Sequence, residues 1–163
     1  VSTLKVKGIS APTGYDLQMP AGAVLQVVQS VHTTYLNSTS SSFADTGLTA
    51  TITPKFSSSK IYVSIAAHGL AQNGASAKLE IALHGRGSIL AYALRPVHVT
   101  SGASFICGSS TINYLDSPNN TSANVYKLQI RNRDGGSESV RYNDYHTGSE
   151  RSSSTITLME IAG

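Results

Sequence analysis

Apolar residues recur at every second position in short runs along this chain, and no run repeats them at helical spacing. In residues 60–66, Ile61, Val63 and Ile65 fall on one face of an extended backbone, and Leu79, Ile81 and Leu83 do the same in 77–83. Comparable runs occupy 24–31, 49–53, 89–94, 105–115, 125–131, 140–142 and 155–161, with Ser, Asn and Gly between them. Only 13% of the 163 residues are charged, against a usual ~25%. Serine, threonine and glycine fill the difference, which is the composition of sheets whose outward residues are hydroxyls. Roughly nine short strands of this kind predict an all-β chain, an antiparallel β-sandwich of the jelly-roll kind.

Turn chemistry predicts how some strands connect. Asn73-Gly74 lies between 60–66 and 77–83 and predicts a hairpin joining them. Asp134-Gly135-Gly136 predicts a second hairpin, from 125–131 to 140–142. The first residues differ from the rest. Val1 to Ile9 alternates like a strand, with Leu4 and Val6 apolar, before Pro12 and Pro20 interrupt the chain. A lone strand needs a partner, so residues 1–22 are expected to form an extended stalk or oligomerisation segment, and 23–163 the sandwich. The strand 155–161 is also unusual. Ile156 and Leu158 lie on one face, Met159 and Ile161 on the other. A subunit interface, or a central position beneath a long loop, would each cover the second face.

Several functions are excluded at this stage. No apolar run approaches the ~20 residues of a transmembrane helix, so the chain is not expected to insert in a membrane. The net charge is +3, and the arginine cluster Arg131, Arg133, Arg141 and Arg151 is interleaved with Asp134, Glu138, Asp144 and Glu150. That is not the basic stripe of a nucleic-acid interface. A single Cys107 forms no intramolecular disulfide. The five histidines lack metal-ligand spacing, and His68 and His84 fall at opposite ends of the expected hairpin. No nucleophile elbow, phosphate loop or dinucleotide fingerprint is present. Neither a metal, a cofactor nor an enzymatic activity is expected.

A binding role fits the residues better. Eight tyrosines without tryptophan supply apolar faces that end in hydroxyls. With Tyr126, Leu128 and Ile130 inward, Lys127, Gln129, Arg131 and Arg133 point out. Together with Arg141, Tyr145 and His146 they form a candidate site for an anionic saccharide, held by charge-assisted hydrogen bonds. A mixed-charge face turned to solvent or to another subunit would have the same composition.

The opening Ser2-Thr3-Leu4-Lys5-Val6 resembles a segment at stalk-to-tip junctions of tail fibre proteins of tailed bacteriophages, marine and cyanobacterial ones in particular. The body resembles the C-terminal domain of the same family. The matching phrases are Gly22 to Val28, Phe43 to Pro54, Ser58 to Ile61, Asn113 to Pro118 and Ser154 to Ile161. The resemblance implies a homotrimeric fibre tip on the virion, joined to the rest of the fibre at its N-terminus. Such a tip recognises a bacterial surface polysaccharide, lipopolysaccharide or outer-membrane receptor. Leu4, Val6, Met159 and Ile161 would then line the contacts between subunits. A structural virion module (head fibre, decoration protein or passive spacer) and a lectin-like carbohydrate-binding module are the alternatives.

Overall fold

The computed structural model describes residues 19–94, 96, 106–144 and 151–163, apart from the side chains of Ile106 and Cys107. Leu4, Val6, Tyr145 and His146 lie outside the described residues, as does the alternating run Val1 to Ile9. Among the described residues, ten strands follow in order: β1 (Val24–His32), β2 (Leu36–Ser38), β3 (Ala44–Ile52), β4 (Lys60–Asn73), β5 (Leu79–Gly85), β6 (Ser88–Leu94), β7 (Ile106–Asp116), β8 (Asn124–Asn132), β9 (Ser139–Tyr142) and β10 (Ser154–Ile161). All pairings are antiparallel.

Two sheets form a sandwich. One contains β1, β10, β4 and β7 side by side, and the other contains β3, β8, β5 and β6. This alternation of early and late strands, each sheet taking four of eight, is the doubly wound Greek key of a jelly roll. The short β2 and β9 extend the first sheet, β9 pairing with the end of β4 beyond the reach of β10. Alternation reads out directly as burial. Leu48 and Ile52 of β3, Ile61, Val63 and Ile65 of β4, Leu79, Ile81 and Leu83 of β5, Tyr126, Leu128 and Ile130 of β8, and Ile156 and Leu158 of β10 meet in one core. Removing each such side chain from water contributes roughly 1.5–3 kcal/mol.

Neither expected hairpin forms. β4 continues to Asn73 and belongs to the first sheet, whereas β5 belongs to the second, so Asn73-Gly74 turns a crossover between sheets. Gly74 has φ of 113°, and the Glu138 carboxylate caps the turn by accepting from the backbone N–H groups of Ser76 and Ala77, the latter at 2.7 Å. The Gln72 amide donates to the Ala77 carbonyl at 2.7 Å. These side-chain bonds satisfy the backbone groups that a hairpin ladder would have used. Asp134-Gly135-Gly136 is likewise a crossover, since β8 and β9 lie in different sheets. It is tied by the buried Asn132, whose amide donates to the carbonyls of Gly135 and Glu138.

The outer faces of the two sheets carry different rows of side chains. Across the first sheet, register aligns Val27, Met159, Tyr62 and Leu115 on four adjacent strands, with Val24 beside Ile161. Val27 is 56% and Leu115 51% exposed, while Met159, Tyr62 and Ile161 are half-buried. The outer face of the second sheet carries instead Asp45, Lys127, Gln129, Arg131, Glu80 and His84.

Candidate binding face and cleft

The sequence-expected arginines occupy two different places. Arg131 and Arg133 converge on Glu80, a β5 carboxylate that is only 1% exposed. Arg131 donates from Nε at 2.8 Å and Nη2 approaches at 2.7 Å, while Nη1 of Arg133 stands at 3.7 Å. Arg131 also lies over the Phe43 ring, 4.5 Å from its centroid, and Phe43 is 6.0 Å from Tyr92. Tyr92 and Leu94 are exposed beside this cluster. Arg141 stands in the first sheet, on β9, where Nη1 reaches Asp144 at 3.1 Å.

A cleft of about 690 Å³ opens at the other end of the second sheet. His84, Arg86 and Lys127 line it, together with Asn120, Ser122 and Asn124. Register places His84 directly opposite Lys127 on neighbouring strands. Arg86 belongs to the two-residue connection of the β5–β6 hairpin, closed by the pair Gly85 and Ser88. Both loop residues have positive φ, 52° at Arg86 and 80° at Gly87. That is the geometry of a type I′ turn, whose first position ordinarily takes Asn, Asp or Gly.

Arg86 is fixed by a carboxylate buried behind it. Its Nε donates to Asp116 Oδ2 at 2.8 Å and its Nη2 to Oδ1 at 2.7 Å, and Tyr126 Oη donates to Oδ2 at 2.6 Å. Asp116 is 2% exposed and Tyr126 wholly buried. Burial, reinforced by the Asp116 hydrogen bond and charge, pushes the Tyr126 hydroxyl far above the usual phenol range, so it remains a donor. The opposite wall is a loop held by its own side-chain hydrogen bonds. Asn120 accepts from the Ser122 N–H at 2.9 Å and exchanges amide hydrogen bonds with Asn124, which donates in turn to the Ser122 carbonyl at 2.8 Å.

Lys127 donates to Asp45 at 2.7 Å, and Gln129 donates to the other oxygen of the same carboxylate at 2.7 Å. Burial pushes the Asp45 carboxyl up, but Lys127 and Gln129 outweigh it and hold it below the usual carboxylate range. Among the described residues, no group of three or more His, Cys, Asp and Glu gathers as a metal site. Sequence reading placed Lys127 on the outer row but missed the cleft, because Arg86 and Asp116 are thirty positions apart. An arginine preceding Gly87 in a two-residue turn was the available signal.

No protein-family model matches the chain, and no curated protein matches it. Among solved structures, the VP2 subviral particle of infectious bursal disease virus aligns with 97% of this chain and 37% of its own, at 14% identity and a TM-score of 0.36. Dimeric latent PorU from Porphyromonas gingivalis aligns with 94% of this chain and 14% of its own, at 14% identity and a TM-score of 0.39. The chain thus spans a minor part of both, and likeness at this level carries no functional argument.

Proposed function

We propose that this chain is the receptor-binding tip domain of a bacteriophage tail fibre, a homotrimer displayed on the virion that recognises a glycan of the bacterial surface without catalysis. One observation supports it above the others: the first sheet carries an apolar row across its outer face, beside the polar row Gln29, Thr157, Ser64 and Asn113, whereas the outer face of the second is largely charged. The apolar row Val27, Met159, Tyr62 and Leu115 suits burial against another subunit, as Met159 and Ile161 were expected to be. The charged face, with its cleft and its exposed Tyr92, suits recognition of a polar ligand. Three copies of a weak site convert modest affinity into avidity.

The test has two arms. Light scattering on the 163-residue chain should give a particle of about 51 kDa, three times 17.1 kDa. Free protein then competes with phage for adsorption to permissive cells. A 17.1 kDa particle overturns the trimer. Normal adsorption in excess protein, with defective fibre assembly when the domain is mutated, favours a structural virion module instead.

A further inference from the structure

The cleft bounded by Arg86, Lys127 and His84 has a donor inventory that selects for charge. Among the described residues, no acidic side chain lines it. Asp116, the carboxylate nearest Arg86, is buried with both oxygens occupied by Arg86 and Tyr126. Asp116 therefore orients the guanidinium and leaves its remaining N–H groups to the cleft side. Lys127 spends one of its donors on Asp45 and keeps others. The Asn120–Asn124 wall is already satisfied internally, so it gives shape and demands no partner of its own.

The turn at Arg86 points the same way. An arginine at φ of 52° costs about 1–2 kcal/mol relative to a residue suited to left-handed backbone. Asparagine would make the same hairpin without that strain, but could not reach both oxygens of Asp116. The sequence retains arginine at the one loop position where its side chain both engages Asp116 and lines the cleft.

We propose that this cleft binds the anionic substituent, carboxylate or phosphate, of an acidic saccharide, with Arg86 and Lys127 as its two charged anchors and His84 alongside. The inference rests on the reading of the charged face as the recognition surface, and it fixes the ligand class that face selects.

Calorimetric titration of the 163-residue protein with glucuronate, glucose 6-phosphate, glucose and inorganic phosphate tests it. The two acidic sugars are expected to bind at least about tenfold more tightly than glucose, with affinity falling as salt rises. Inorganic phosphate alone should bind more weakly than either acidic sugar. The pair of acidic sugars also identifies whether carboxylate or phosphate is preferred. Lys127→Gln, which leaves the Arg86–Asp116 pair in place, should weaken acidic-sugar binding about tenfold, with only the small drop in melting temperature that loss of the exposed Lys127–Asp45 pair brings. Arg86→Gln is the second variant, read only alongside its melting curve. Equal affinity for glucose and glucuronate, no binding of either acidic sugar, or full binding by Lys127→Gln overturns the proposal. Adsorption competition that persists despite such a result leaves the receptor reading standing. Failed competition despite selective acidic-sugar binding overturns that reading and leaves the cleft assignment intact.

Discussion

The Glu160 carboxylate joins three segments of chain at one point: Oε1 accepts the backbone N–H of Lys55 at 2.7 Å, and Oε2 accepts the Gln26 amide at 2.6 Å. Gln26 continues to the Thr53 carbonyl at 2.8 Å. Glu160 is fully buried. Burial raises its pKa, but the hydrogen bonds from the Gln26 amide and the Lys55 backbone N–H outweigh that and hold it below the usual carboxylate range.

A carboxyl whose folded pKa is depressed stabilises the fold fully above its unfolded pKa, near 4.3, and progressively less as pH falls through the folded value. The melting temperature should therefore drop between neutral pH and about pH 3. Glu160→Gln should flatten part of that slope while lowering stability at pH 7. Calorimetry of both proteins across the range checks it, and identical slopes would remove Glu160 from the account.

Arg86 and Asp116 should behave as a coupled pair. Arg86→Asn improves the turn residue yet strands Asp116 with only Tyr126, so it should destabilise the protein. In a double-mutant cycle with Asp116→Asn, measured by urea unfolding, the coupling energy should be about 1–3 kcal/mol. A value near zero would mean that solvent replaces the pair without loss.

Gly69 sits at φ of 57° where the β4–β7 register shifts, and a Cβ there would meet the Asp144 backbone nitrogen at 2.5 Å and its oxygen at 2.7 Å. The Asp144 N–H donates to the Gly69 carbonyl at 3.0 Å, and Asn143 to that of His68 at 3.2 Å. Gly69→Ala should separate this junction and cost about 2 kcal/mol or more. Gly87→Ala, whose Cβ would meet nothing within 4 Å, bears only the turn strain and should cost less. Chemical denaturation ranks the two.

If the proposed trimer forms, Met159→Lys and Leu115→Lys should each shift its mass from about 51 kDa towards that of the single chain. Leu128→Ala, in the core, should instead destabilise by about 2–5 kcal/mol. Light scattering and melting curves together separate the surface effect from the core effect. Unchanged mass in both lysine variants would exclude this face as the subunit contact.

Much of the fold was legible because burial follows alternation with a period of two. The runs at 60–66, 77–83 and 125–131 all became strands with the expected residues inward. What the sequence did not disclose was which strand pairs with which. Asn73-Gly74 carries a local hairpin signal, but the core needs the apolar faces of β4 and β5 on opposite sheets, and that demand prevails over the turn preference. The three residues of β2 carry too short a pattern to be read. Arg131 and Arg133 do share one outer face, whereas Arg141 was drawn from sequence proximity that the crossover to β9 breaks. The cleft stayed hidden because its anchors come from a turn and a distant strand, and only tertiary structure brings Asp116 behind Arg86.

The position of β10 between β1 and β4 has a consequence for synthesis. Pairing Val24 with Ile161 closes a loop comprising most of the chain, so among the described residues β1 has no strand neighbour in its sheet until the residues of β10 leave the ribosome. Until then, the edges of β1 and part of β4 offer unpaired hydrogen-bonding groups to other nascent chains. Folding should therefore complete after translation and slowly, as in proteins dominated by non-local contacts. Expression at low temperature, which slows synthesis and weakens hydrophobic association, should raise the soluble yield.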